Sequence, residues 1–117
     1  MSKDKYKIGT TNYMRQWWRK HPERYLWTAA RKRAQRRGLE FSILETDITI
    51  PDKCPILDVE LGQVYTSSGH ESSPCLDRID NKKGYTRDNI AVISFKANRI
   101  KGSLSKDQLV RLLTYVS

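Results

Sequence analysis

The sequence predicts an α+β fold, with basic helices first, a strand–turn–strand–helix core next and a further helix last. Three observations carry this expectation. Helical periodicity fills the first third of the chain, is broken at His21-Pro22 and stops at Gly38. Two short β-rich runs, Leu76–Ile79 and Ile90–Ile93, flank a turn at Asp80–Gly84. A capped amphipathic stretch follows from Ser105. The length of 117 residues suits one domain with a modest core.

Residues 1–9 are polar and basic and show no periodicity. Thr10 or Thr11 can cap a helix over 12–20, where Tyr13, Trp17 and Trp18 supply apolar surface and Arg15, Arg19 and Lys20 the charge. The residue before a proline avoids the α region, so this helix ends at His21. Pro22 then suits the first turn of a second helix, with Glu23 at its positive end. Gly38 is a natural C′ residue after Arg37.

Leu39–Ile43 alternates with period two and predicts a strand. Glu45–Ile48 fits a single helical turn. Pro51 and Pro55 bracket a turn at 52–54, after which Ile56, Leu57, Val59 and Leu61 resume an apolar pattern. Residues 62–74, rich in glycine and serine, predict a flexible loop. In the Asp80–Gly84 turn, Gly84 is available for positive φ. Phe95–Lys101 predicts a helix stopped by Gly102. Ser105-Lys106-Asp107-Gln108 is a capping box, and Leu109, Val110, Leu112, Leu113 and Val116 then predict a helix that packs on the core.

Charge is segregated. Residues 1–38 carry 12 Lys/Arg against Asp4 and Glu23, a net of +10, whereas residues 39–117 carry a net of −1. An excess gathered on one arm, interleaved with Tyr13, Trp17, Trp18, Tyr25 and Trp27, points to a polyanionic partner. No apolar run of about 18 residues is present, so no membrane span is expected. The polar start lacks a secretory h-region, which leaves the cytoplasm as the expected compartment. Cys54 and Cys75 form no C-x-x-C pair, and His21 and His70 are the two histidines. Structural zinc is therefore not expected, and two reduced thiols are.

The most telling stretch is Ser73-Pro74-Cys75-Leu76-Asp77-Arg78-Ile79-Asp80-Asn81, followed by Gly84-Tyr85, Asn89-Ile90 and Ala97-Asn98-Arg99-Ile100-Lys101. It resembles the HNH, or His-Me finger, nuclease superfamily, and in particular small phage-type HNH endonucleases with a Leu-Asp-Arg-Ile-Asp-Asn core. The likeness is specific over 73–102. It is weaker over 27–61, where Trp27, Arg33-Ala34, Arg37-Gly38 and Cys54-Pro55-Ile56-Leu57 match that group's layout. The resemblance implies a ββα-metal core within an HNH-like domain over 39–117, preceded by a basic nucleic-acid-binding arm over 1–38.

It also implies roles. Asp77 and Asn98 would bind a divalent metal, Mg²⁺ or Mn²⁺, and Asn89 would hold the loop. A carboxylate and an amide carbonyl are hard oxygen ligands suited to such ions. The position after the metal aspartate, where the family has its general-base histidine, holds Arg78. A guanidinium keeps its proton and has no lone pair to activate water, though it can bind phosphate. His70 and Asp80 are the alternative bases. From the charge pattern rather than the resemblance, Arg31, Lys32, Arg33, Arg36, Arg37 and Lys101 are expected to contact the nucleic acid. The implied activity is metal-dependent endonuclease cleavage of duplex, nicked or branched DNA. The alternatives are a catalytically degenerate HNH-fold module that binds nucleic acid, RNA included, or an inhibitory protein that uses the basic arm.

Overall fold

Proline and glycine punctuation shapes the first two helices. In the computed structural model, which describes residues 12–64 and 70–117, α1 spans Asn12–Lys20 and α2 spans Pro22–Arg37. The expectations for residues 1–9 and for a Thr10 or Thr11 cap lie outside the described residues, as does part of the 62–74 loop. Pro22 opens α2, and Gly38 closes it at φ +64° with its N–H donating to Ala34 O. A side chain at that left-handed position would add roughly 1 kcal/mol of strain.

Along α2, Leu26, Ala30 and Ala34 repeat every four residues and are buried. The two alanines let the helix backbone approach the sheet. These three residues share a core cluster with Ile43, Ile48, Val64, Leu76, Tyr85 and Val92. α2 is thus part of the core of the downstream segment as well as a carrier of positive charge.

Leu39–Ile43 does not form the expected strand. A single parallel bridge joins Phe41 to Tyr85, through Tyr85 N–H to Glu40 O at 2.8 Å and Ser42 N–H to Tyr85 O at 3.0 Å. The alternation serves burial instead: Ile43 is buried, and Leu39 and Phe41 pack against the core. A 3₁₀ turn follows at Glu45–Asp47, where Asp47 Oδ2 accepts from Leu44 N–H at 2.8 Å. The turn expected at 52–54 falls later, at 55–57, and returns through Asp58 at φ +58°. Pro55 fixes its own φ, and aspartate tolerates the left-handed region, so the reversal follows Cys54. Ile56 and Val59 sit exposed, so only Leu57 and Leu61 of the expected apolar pattern pack against the core.

β1, Pro74–Arg78, pairs antiparallel with β2, Ile90–Ser94, from Pro74–Ser94 to Arg78–Ile90. α3, Phe95–Ser103, starts directly from β2, with Ser94 Oγ accepting from Ala97 N–H at 3.1 Å. One face of this two-stranded sheet, Leu76 and Val92, meets α2. The other, Ile93, meets Cys54 and Ala97, with Leu57 and Leu61 packed around them.

Gly84 does not use positive φ. Its place is fixed by close approach, because an added Cβ would stand 2.5 Å from Glu40 O. Gly102 does not stop α3, which continues through it to Ser103. Nothing crowds that position, and Ser103 Oγ–H donates back to Arg99 O at 2.6 Å.

α4, Lys106–Val116, has the predicted reciprocal cap between Ser105 and Gln108. It does not pack on the core as expected: every residue from Ser105 to Ser117 is exposed. α2 packs on one face of the sheet, and Cys54, Leu57 and Leu61 of the 54–61 loop pack on the other, so the core cluster of neither face includes a residue of α4. The described residues thus form four helices and one two-stranded antiparallel sheet, an α+β arrangement. None of these helices is long and apolar enough to cross a membrane.

Candidate functional site

Where β1 ends and α3 begins, both elements face α2 across an open cleft of about 640 Å³. α2 contributes Arg33 and Arg37, β1 contributes Asp77 and Arg78, and α3 contributes Asn98 and Lys101. Among the described residues, four cations and one carboxylate therefore line this space. Arg33 and Arg37 reach it together because residues four apart share a helix row. Asn98 and Lys101, three apart on α3, do so for the same reason.

Asp77 and Asn98 both line the cleft. Asp77 is already paired: Lys101 Nζ donates to its Oδ2 at 2.7 Å, with the two side chains 14% and 28% exposed. The same ammonium lies 2.5 Å from Arg78 O, 3.3 Å from Ile79 O and 3.3 Å from Asn81 Oδ1. Four oxygens, one of them anionic, thus surround a single cationic centre. Asn98 makes no side-chain hydrogen bond with the described residues, so its amide is available to the cleft.

Arg78 holds the turn that follows β1. Its Nη1 donates to Asn81 O and Lys83 O, both at 2.8 Å, and its guanidinium lies 5.6 Å from the Tyr85 ring centroid. Asn89 clamps the same turn from the other side. It is buried, accepts from Asp80 N–H at 2.8 Å, and donates to Gly84 O at 2.8 Å and Asp80 O at 3.1 Å. Asp80 turns away from the cleft lining and caps its own turn by accepting from Lys82 N–H at 2.9 Å. His70 is exposed and does not line the cleft either, so neither alternative base is brought to Asp77.

The basic residues of α2 divide among faces, because successive positions rotate by about 100°. Arg33 is half-buried; Nε donates to Tyr85 Oη at 3.2 Å and Nη2 to Leu76 O at 3.4 Å. Arg37 is exposed at the cleft mouth. Arg31 lies over the Trp27 ring, and Arg31, Lys32 and Arg36 are exposed outside the cleft lining.

The two thiols differ. Burial pushes Cys75 up, with the Asp77 charge adding to it and Arg33 opposing it. Burial also acts to raise Cys54, but donors outweigh it: the Ser94 hydroxyl and the backbone N–H groups of Leu57, Ser94 and Ile56 bring it to about 7. Ser94 N–H lies 3.3 Å and Leu57 N–H 3.5 Å from Cys54 Sγ. Cys54 thereby ties the 54–61 loop to the start of the helix that carries Asn98 and Lys101.

Among the described residues, no three His, Cys, Asp or Glu side chains converge on one point. A hard divalent ion needs no such group. It is commonly held by one or two carboxylates, with neutral oxygens, water and substrate phosphate completing its shell. The oxygens around Lys101 Nζ, with the Asn98 amide in the same cleft, fit that chemistry. Compared with protein-family profiles, curated proteins and solved structures, the chain matches none of them.

Sequence alone marks Asp77 and Lys101 separately, and the fold joins them. Helix phase was the available signal, since a cleft-facing Asn98 carries Lys101 to the same side. Tyr85 and Asn81 were missed as cleft residues, and no local pattern distinguishes them from ordinary turn residues.

Proposed function

We propose that this protein is a divalent-metal-dependent DNA endonuclease of the HNH kind, nicking or structure-selective in action. The observation that carries the reading is that Asp77 from β1 and Asn98 from α3 line one cleft, which Arg33 and Arg37 also border. The motif likeness over 73–102 supports it, as does the net charge of +10 on residues 1–38.

In this reading Asp77 and Asn98 hold Mg²⁺ or Mn²⁺. When bound, such an ion neutralises the scissile phosphate and the departing 3′ oxygen. Arg37, at the cleft mouth, meets the DNA backbone, while Arg33 and Arg78 set the positive field of the walls. Asn89 keeps the 80–84 turn that follows β1 in shape. With arginine at position 78 and His70 outside the cleft, water is activated without a dedicated histidine. A general base typically contributes about 10²–10⁴ in rate, so the expected enzyme is slow.

The test is plasmid nicking by wild type and Asp77→Ala, with and without Mn²⁺. Metal-dependent nicking that disappears in Asp77→Ala supports the reading; equal activity in both proteins removes the site.

A second reading, a catalytically degenerate module that binds nucleic acid, is favoured by one observation: Lys101 already satisfies Asp77 at 2.7 Å. It predicts DNA binding with no nicking at any Mn²⁺ concentration. Competition between structured RNA and duplex DNA at fixed salt then identifies the polyanion.

A further inference from the structure

We propose that the Lys101 ammonium is a tethered cation that competes with the divalent ion for Asp77, so that metal occupancy requires the lysine to leave. This inference rests on the metal reading given above and adds a built-in control to it.

The geometry is that of an ion in an oxygen shell. Lys101 Nζ is within 2.7 Å of Asp77 Oδ2, 2.5 Å of Arg78 O and 3.3 Å of both Ile79 O and Asn81 Oδ1. An ammonium has three protons, so four oxygens around it exceed what directed hydrogen bonding needs. One carboxylate with three neutral oxygens is a donor set that also suits a hard metal ion. The Asp77 carboxylate, 14% exposed, is the one acidic group among the described residues that line the cleft, whereas Arg33, Arg37 and Arg78 line it too. A divalent ion entering beside the ammonium would gain one negative charge and meet four positive ones. Withdrawal of Lys101 removes the nearest of those charges and frees the oxygens together.

The side chain has somewhere to go. Lys101 lies on the last turns of α3, is 28% exposed and borders the open cleft. A lysine stem can carry its head outward into water or toward a phosphate. In this scheme the DNA backbone draws Lys101 out of the oxygen shell as it enters the cleft, coupling metal entry to substrate entry.

Mn²⁺ itself is the probe, followed by its EPR signal on titration into full-length wild type, Lys101→Met, Lys101→Gln and Asp77→Asn/Lys101→Met. The expected result is tighter binding by at least about tenfold in both single lysine variants, lost in the double variant. Thermal melts in Mn²⁺ provide a second readout, since a ligand that binds the folded state raises its stability with concentration. A lysine variant destabilised by its unpaired Asp77 should therefore regain melting temperature with Mn²⁺ where wild type gains less. Equal Asp77-dependent binding in wild type and both lysine variants overturns the competition and leaves the metal reading standing. No Asp77-dependent binding in any folded variant overturns both.

Discussion

An ideal Cβ on Gly84 would stand 2.5 Å from the carbonyl oxygen of Glu40 and 2.8 Å from its nitrogen. The contact is backbone against backbone, and Tyr85 N–H donates to the same Glu40 oxygen at 2.8 Å. Gly84→Ala must separate these strands of chain and break the Phe41–Tyr85 bridge. The expected cost is about 2–3 kcal/mol in urea unfolding. Gly102→Ala is the control: the site is helical and open, so it should stabilise by roughly 0.5–1 kcal/mol. Equal effects at the two positions would refute the close-approach account.

Asn89 makes three hydrogen bonds from a buried side chain, one to Asp80 N–H and two to carbonyl oxygens. Asn89→Asp keeps an acceptor for Asp80 N–H but sets a carboxylate against the carbonyls of Asp80 and Gly84. Asn89→Ala removes all three bonds at once and leaves their partners unsatisfied. Both should destabilise by about 2–4 kcal/mol. At neutral pH the aspartate variant should also regain stability on acidification, as protonation restores a donor. Chemical denaturation at pH 5 and pH 7 checks the difference.

Trp18 and Trp27 offer a contrast in satisfaction of the indole. Trp27 Nε1–H donates to Ile43 O at 3.0 Å, whereas the buried Trp18 Nε1–H has no hydrogen-bond partner among the described residues. Trp27→Phe therefore strands a partly buried carbonyl and should cost about 1–2 kcal/mol more than Trp18→Phe. Paired thermal melts of the two variants provide the comparison.

Much of this fold was legible because local chemistry decides it. Pro22 and Gly38 bound α2, Ser105 and Gln108 cap α4, and the two β-rich runs expected at 76–79 and 90–93 do pair, although the first strand starts two residues earlier, at Pro74, and ends at Arg78. What was not legible depends on occupancy in three dimensions. Leu39–Ile43 has a strand's alternation, yet its neighbour is a turn that offers one bridging residue. α4 has an amphipathic pattern, but the core cluster of neither face of the sheet includes one of its residues. The same limit holds at the cleft. Asp77 and Asn98 could be named from their motifs. That Lys101 would satisfy Asp77, and that Arg78 would be spent on Asn81 and Lys83 carbonyls, needed coordinates.

The thiol of Cys54 should titrate at about 7, below its usual 9.0: burial acts to raise it, but the Ser94 hydroxyl and backbone donors together outweigh that. Cys75 should titrate above 9.0. A depressed pKa favours the ionised form in the folded state. Its stabilisation is therefore complete above the unfolded value and is lost as pH falls through about 7. Wild type should gain stability relative to Cys54→Ala between pH 7 and 9, and not below. Thiolate absorbance in a Cys75→Ser background gives the midpoint directly, and unfolding at a series of pH values gives the sign.

Arg37 and Arg33 border the same cleft but are engaged differently. Arg33 is tied to Tyr85 Oη and Leu76 O, while Arg37 is exposed and makes no hydrogen bond or ion pair with the described residues. If the cleft mouth receives a DNA backbone, Arg37 is free to meet it at no cost to the fold. Arg37→Ala should then leave stability within about 0.5 kcal/mol and reduce the log–log salt slope of DNA binding by about 1. Arg33→Ala should lower both stability and affinity, since it removes two internal bonds with the charge. Fluorescence anisotropy on a short duplex across a salt series, run beside urea unfolding of each variant, separates these outcomes. An unchanged slope in Arg37→Ala would move the DNA away from this cleft and toward the exposed Arg31, Lys32 and Arg36 face of α2.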